Sequence, residues 1–547
     1  MTPGFARRHG LSAALAAVSI LVAVPRAPAQ VTTRVSLAFD GSEANRSSYD
    51  AALSADGRHV AFESEATNLV RDDGNLKLDV FVRDLATGVT ERVSVSSDGI
   101  EADDISFEAR ISADGRFVAF TSWASNLIPH DLNGAADVFL RDRVLGTTEL
   151  ISQSSTGVYG DLASSCDDLS PDGNFVVFGS TANELVPGDF QNDSDVFVRD
   201  RAQGLTERVS VSTAGVEGNL GAGSGSISAD GRFVAFSSKS TDLAPDTNGD
   251  DSDIFLRDRQ AGTTSLISVN NAGQQVNASS VGPDISADGR YVAFMCAGHL
   301  IEMGQSAGSM DVYVRDLVAG TTEFASLDSS GAVLDVSMMR CALSADGRYL
   351  VLDTLFGVQP THLRDRVEGT TQLVGVGTDG TIASTMVEEQ SISEDGRFVV
   401  FDSLSSELAG DDTNNASDIF LRDTRPFFAD LGQGLAGIAG VPSLSGSGVL
   451  LGGEPVAFTL ADARPSAAST LIVSPFALSA PFKGGTLVPA PTLLLAFTTS
   501  AAGTASLPVV WPANLPSDLV VYFQWWIQDP AGPASFSASN ALSATTP

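Results

Sequence analysis

The sequence predicts an all-β chain: a seven-bladed β-propeller of four-stranded blades, closed by its own N-terminal strand, followed by a small β-sandwich-like domain. Three observations carry this prediction. A Ser-x-Asp-Gly signature recurs seven times, strand patterns in a fixed order follow the copies, and the composition changes abruptly after Arg425-Pro426.

The signature begins at Ser54, Ser112, Ser170, Ser228, Ser286, Ser344 and Ser393, the first six 58 residues apart and the last after 49. A period of this length marks a repeat architecture. A short β-rich run precedes each Asp-Gly and a longer one follows it, as in Arg116-Phe-Val-Ala-Phe120, which predicts a hairpin with a type I′ turn. A third strand starts 23 residues after the motif's Asp, at Asp79, Asp137, Asp195, Asp253, Asp311 and Asp418. The sixth repeat shortens it to Thr361-His-Leu-Arg-Asp365, which accounts for the spacing of 49. A fourth strand follows a Gly-containing turn, as in Thr147 to Ser152.

Strands that read Val-Phe-Val are covered on both faces, as stacking between neighbouring blades requires. The seventh repeat stops at Asp423 without a fourth strand, whereas Thr32-Thr-Arg-Val-Ser36 matches Thr90-Glu-Arg-Val-Ser94. The N-terminus is therefore expected to supply the missing strand, since an open ring would leave an unpaired edge. The repeated Ser-x-Asp-Gly-Arg-x-Val-Ala-Phe and Asp-Val-Phe-Val-Arg-Asp segments resemble the TolB-type, WD40-like (PD40) propeller repeat, over roughly residues 31 to 423. The resemblance implies the fold and says little about function. The N-terminal α/β domain of TolB has no counterpart here, so a Tol-system role does not carry over.

At the N-terminus, Arg7 and Arg8, an apolar run from Leu11 to Val24, and Ala27-Pro28-Ala29 follow the order of a secretory signal peptide. Cleavage is expected after Ala29, giving residues 1–29 as signal, 30–424 as propeller and 425–547 as the C-terminal module. Elsewhere no apolar run reaches the length of a membrane span. The expected location is extracytoplasmic, periplasmic or secreted. A formal charge of −35 repels phosphate backbones and anionic lipid, so nucleic-acid partners are disfavoured; cations and basic partners are favoured, and solubility is a sufficient reason for the acidity as well. Cys166, Cys296 and Cys341 permit at most one disulfide, with Cys296 and Cys341 the pair nearest in repeat order; small buried thiols are the other reading.

From Asp430 onward five acids and two bases remain, while three of the four Trp are found there. Apolar segments at Val456 to Leu460, Thr470 to Val473, Thr492 to Phe497 and Leu519 to Ile527 read as strands. The closing run Tyr522-Phe-Gln-Trp-Trp-Ile-Gln-Asp529 resembles a module recurring on secreted bacterial proteins. Adjacent Trp525 and Trp526 point to opposite faces of a strand, so only one is expected in a core; the other is either covered elsewhere or a glycan-stacking surface.

His59, His130, His299 and His362 fall at unrelated repeat positions, which gives no zinc spacing, and no Gly-x-Ser-x-Gly, Walker or His-Glu-x-x-His motif occurs. The strongest constellation is the acidic loop between second and third strands, exemplified by Asp72-Asp-Gly-Asn75, Asp131-Leu-Asn-Gly134 and Asp411-Asp-Thr-Asn414. Alternating oxygen donors suit calcium, and the blade 4 loop, Asp246, Asn248, Asp250 and Asp253, is the best candidate. Asp and Asn that cap their own turns give the same pattern. These loops and the links between blades emerge at one end of the ring, so a protein, glycan or cation partner is expected there. The Arg-Asp that ends each third strand is expected to make structural ion pairs at the opposite end. The leading reading is an extracytoplasmic binding or scaffold protein. A glycan-active enzyme, a polysaccharide lyase or hydrolase, and a purely structural surface component are the alternatives.

Overall fold

The structure is a computed structural model that describes residues 31–546 except 190–192, 250, 307, 355–360, 379–380, 385–386, 410–411, 426–427, 449, 451–454, 513–514 and 516–518. The expected signal segment, residues 1–29, lies outside the described residues.

Seven four-stranded antiparallel sheets form the ring. Their first strands, Ser48–Leu53, Ser106–Ile111, Ser164–Leu169, Ala222–Ile227, Ser280–Ile285, Met338–Leu343 and Val387–Ile392, each lie against the next, and the last returns to the first. These inner strands surround the axis. The N-terminal strand Thr32–Arg34 pairs with Asp418–Asp423, Thr32 opposite Arg422, and completes blade 7. The shortened third strand of blade 6 is His362–Asp365.

Side-chain chemistry explains the repeat. In blade 1, Ser54 Oγ donates to Asp56 Oδ1 (2.7 Å) and accepts the His59 N–H (2.9 Å), while Asp56 Oδ1 also accepts the Arg58 N–H (3.0 Å). The turn is not the expected type I′. Asp56 keeps a negative φ; Gly57 alone is left-handed (φ 72°), and its N–H donates to Ser54 O. Type I′ needs positive φ at both central residues, whereas longer hairpin loops place a single Gly there. The Arg of the motif reaches the Asp ending the third strand: Arg232 Nε and a second guanidinium nitrogen donate to Asp258 at 3.0 and 2.7 Å. Asp258 also accepts the Gln260 and Ala261 N–H groups. The Arg-Asp ends are thus structural ties on the face opposite the acidic loops. Between blades, Val and Phe side chains of second and third strands are fully buried, and within a blade Phe rings of those two strands stack, as Phe178 on Phe197 at 5.5 Å.

Beyond the ring, strands Phe428–Asp430, Leu542–Thr545, Val520–Gln528, Ala468–Ser474 and Leu493–Thr498 form one sheet, which Phe536–Ala538 also joins. Ser443–Gly448, Pro455–Ala461 and Ala505–Val510 form a second, and Ala477–Phe482 pairs with Gly485–Pro489. One core joins the two larger sheets through Phe458, Leu471, Phe523 and Trp525, and it includes Val31 from the N-terminal segment. The expectation that only one of Trp525 and Trp526 is core fails. Both are buried, because Trp526 packs in a separate cluster with Ile472 and Leu487 and meets Phe482 edge-on. The short hairpin supplies that second cover. The three cysteines are free, so the Cys296–Cys341 disulfide does not form. Among the described residues no helix is long and apolar enough to cross a membrane.

Candidate functional site

The acidic loops and the blade-to-blade links are stapled together at one end of the ring. Asn75 Nδ2 donates to Asp79 Oδ2 (2.8 Å) and to Ala102 O (2.9 Å), and Asn133 repeats this with Asp137 and Gly160 O. In blades 1 and 2 the Asp that opens the third strand also accepts a serine hydroxyl from the link, Ser94 to Asp79 and Ser152 to Asp137, both at 2.6 Å. Burial pushes Asp79 and Asp137 up to about 6. These aspartates therefore act as turn staples.

Three loops gather carboxylates into clusters of a size that suits a cation: Glu43, Asp412 and Asp418; Asp73, Asp79 and Glu101; Asp189, Asp195 and Glu217. Each cluster surrounds an arginine. Arg208 lies 3.3, 3.0 and 3.1 Å from Asp189, Asp195 and Glu217. Arg92 and Arg34 stand in the same place in the other two. In blade 4 the same repeat positions hold Leu266 and Gln275. Gln275 Nε2 donates to Asp246 Oδ1 (2.8 Å), Asn248 Oδ1 (3.3 Å) and Asp253 Oδ2 (3.0 Å). The structure thus brings together three of the four sequence-predicted ligands around one point; Asp250 and Asp411 lie outside the described residues. Burial raises the Asp253 carboxyl.

Blade 2 departs from this scheme, with Leu150 and Tyr159 where blades 1 and 3 have arginine and glutamate. Beside it, between blades 2 and 3, a cleft of about 270 Å³ is lined by Phe107, Thr121, Trp123, Ser165, Gly179 and Ser194 among others, none ionisable. Trp123 is 45 % exposed, unlike the other three tryptophans. Sequence reasoning missed this cleft. Aligning the repeats by column would have flagged it: Trp123 stands where Glu65, Thr181, Lys239 and Ala297 stand, and Gly179 where Glu63, Thr121, Ser237 and Met295 stand.

Sequence reasoning also missed the axial channel. Every inner strand carries a bulge, at which Asp50, Glu108 and Ser224 adopt left-handed φ of 38°, 55° and 53°. Bulges re-aim side chains and break local pairing. The freed N–H groups find partners across blades: Asp168 accepts the Ile227 N–H (2.8 Å), Ser226 that of Ile285 (3.2 Å), and Asp284 that of Leu343 (2.6 Å). Asp167 accepts the Gly225 N–H (3.0 Å), and Thr121 Oγ1 donates to Glu108 (2.7 Å). Asp167 and Asp284 are only partly exposed, and burial raises both to about 7. Glu63, buried near Asp50, is pushed up to about 9. Asp167 Oδ2 lies 3.9 Å from where a Gly179 Cβ would stand, so this carboxyl and Glu108 adjoin residues that line the cleft.

No protein-family model and no curated protein matches the chain. Solved structures do. A putative TolB from Agrobacterium tumefaciens is 18 % identical over 51 % of this chain and 80 % of its own, with a TM-score of 0.34. Kuenenia stuttgartiensis hydrazine synthase is 14 % identical over 69 % and 96 %, with a TM-score of 0.37. Pyrococcus horikoshii acylaminoacyl peptidase is 12 % identical over 76 % and 57 %, with a TM-score of 0.42. Likenesses this remote carry no argument about activity; the seven sheets and their closed ring establish the propeller.

Proposed function

We propose that the chain is an extracytoplasmic binding or scaffold protein. Its propeller, residues 30–424, presents a ligand site on the loop face, and its module, residues 425–547, assists attachment or assembly. The observation that supports this is the cleft of blades 2 and 3, an uncharged, tryptophan-bearing hollow on a face otherwise rich in carboxylates. Concave sites with a few polar groups on a rigid scaffold are where ligands bind. The extracytoplasmic placement rests on the residue order of the N-terminus. The test is a binding screen with neutral, anionic and basic probes against two variant sets. Substitutions on the loop face, at Trp123 and Asp103, should weaken binding; substitutions in the opposite turns, at Val144 and Val318, should not. Binding lost only through the opposite face would overturn the proposal.

Calcium in the blade 4 loop belongs to the same proposal. Asp246, Asn248 and Asp253 already direct three oxygens at one point, which Gln275 fills with an amide N–H, and Asp250 is the fourth donor expected from sequence. A glycan-cleaving reading is favoured by a single observation: two carboxyls, Glu108 and Asp167, adjoin the cleft lining, the second near 7. Release of reducing ends or unsaturated products from a bound glycan, abolished in Asp167→Asn, would select it; an unaltered glycan would select binding.

A further inference from the structure

We infer that the cleft between blades 2 and 3 is a subsite for one uncharged pyranose ring of a glycan chain, stacked on Trp123 and hydrogen-bonded by Ser165 and Ser194. This inference rests on the loop-face reading and names its ligand class.

The walls select against charge. No lining side chain ionises, although the chain carries a formal −35; acids surround the lining, with Asp167 and Glu108 adjoining it at Gly179 and Thr121 and the exposed Asp103 and Asp193 nearby in sequence. An anionic sugar would meet repulsion from the surrounding acids, and a cation would be drawn to those acids rather than to the uncharged lining. A neutral ring suffers neither.

The chemistry of the lining matches such a ring. A pyranose offers an apolar C–H face and a hydroxylated edge, and an indole beside serine hydroxyls complements both. Trp123 is 45 % exposed, at the end of strand Phe117–Ser122, where its N–H donates to Ile105 O (3.0 Å) and fixes the backbone. Among the described residues, neither Ser165 Oγ nor Ser194 Oγ has a hydrogen-bond partner, and both side chains are half-buried at the cleft. Gly179 keeps the floor clear: a Cβ there would stand 3.2 Å from Ser165 Oγ and 3.8 Å from Ser194 Oγ. The volume, about 270 Å³, falls just below the roughly 300–1,000 Å³ of drug-sized sites, which suits one ring with its neighbours outside.

The full-length expressed protein would be titrated with neutral probes (cello-, xylo- and mannohexaose and hexa-N-acetylchitohexaose), polygalacturonate and hexalysine, following tryptophan fluorescence and calorimetric heat. We expect saturable, salt-insensitive binding of at least one neutral hexaose. Trp123→Ala and Gly179→Ser should each weaken it about tenfold or more while Trp123→Phe retains most of it. A thermal midpoint equal to that of the parent establishes that each variant is folded. Binding of a hexaose that Trp123→Ala leaves unchanged overturns the inference. So does salt-sensitive hexalysine binding with no neutral hexaose bound, which leaves the loop-face reading standing. If no probe binds, both fail.

Discussion

A methyl group on Gly289 would begin 2.5 Å from the ring of Phe233 in the preceding blade, and Gly289 itself has φ 70°. The Arg232 guanidinium lies over the same ring, 4.5 Å from the centroid, while Arg232 holds Asp258. Glycine, aromatic ring, arginine and aspartate therefore form one chain of contacts that ties blade 4 to blade 5. Gly289→Ala should destabilise the protein by about 2–4 kcal/mol, from backbone strain and overpacking together. Denaturant unfolding measures this, and a change under about 0.5 kcal/mol would refute the role of these contacts.

The carboxyls of the channel set a pH dependence with a definite sign. Asp167 and Asp284 have folded pKa values near 7, raised by burial above an unfolded value near 3.8. The folded state then binds more protons than the unfolded state, so stability falls as pH rises between about 4 and 7 and levels off beyond. Glu63 extends the decline towards 9. The thermal midpoint should be higher at pH 5 than at pH 8, and Glu63→Gln should shrink the difference. Below pH 4 the sign reverses through lowered carboxyls such as Asp316, held near 2 by Arg290.

Arginine occupies the carboxylate clusters of blades 1, 3 and 7, and an amide stands in that of blade 4. Arg208→Leu should cost about 3–5 kcal/mol, since it leaves buried carboxylates unpaired. Calcium should restore part of that loss and chelator should not. Gln275→Glu, with Leu266 opposite and no arginine to fill the cluster, should strengthen the calcium-dependent rise in thermal midpoint relative to the parent. An unchanged midpoint with and without calcium in this variant would remove calcium from the blade 4 loop.

Strand Thr32–Arg34 contributes more than three residues' worth of stability. Thr32 Oγ1 donates to Val376 O (2.5 Å), Ser36 Oγ to Asp418 (2.6 Å), and Arg34 lies 3.1 Å from Asp418. A chain lacking residues 1–37 should lose the single cooperative unfolding transition and acquire dye-accessible apolar surface. A sharp transition near the parental temperature would show that the ring holds without its clasp.

The blades were legible in the sequence because each repeats the same local chemistry. Ser54, Asp56 and Gly57 are spaced to make one turn, and the Val-Phe-Val strands announce burial on both faces. The pairing of Thr32 with Arg422 was legible as well, from the missing fourth strand of blade 7. The turn type was misread, because Asp-Gly by itself does not report the φ of its aspartate. Whether Trp526 is covered or exposed stayed open, because the hairpin that covers it, Ala477–Phe482 with Gly485–Pro489, is distant in sequence. The channel and the cleft depend on bulges and on single departures from the repeat, at Glu108, Trp123 and Gly179, which periodicity averages away.

Closing a circle with its own first strand has a consequence for how the molecule comes into being. Arg422 donates to Thr32 across 390 residues of chain. Until blade 7 exists, the earlier blades form an open row with a solvent-facing flank at either end, and the N-terminal strand has nothing to grip. The chain entropy surrendered in that last joining grows only slowly with loop length, but the contact is as non-local as this chain permits and should come late. Val31, packed into the C-terminal core, then binds the joint from outside. The seam of the ring is therefore also tied to the C-terminal sheets, and whatever loosens one loosens the other.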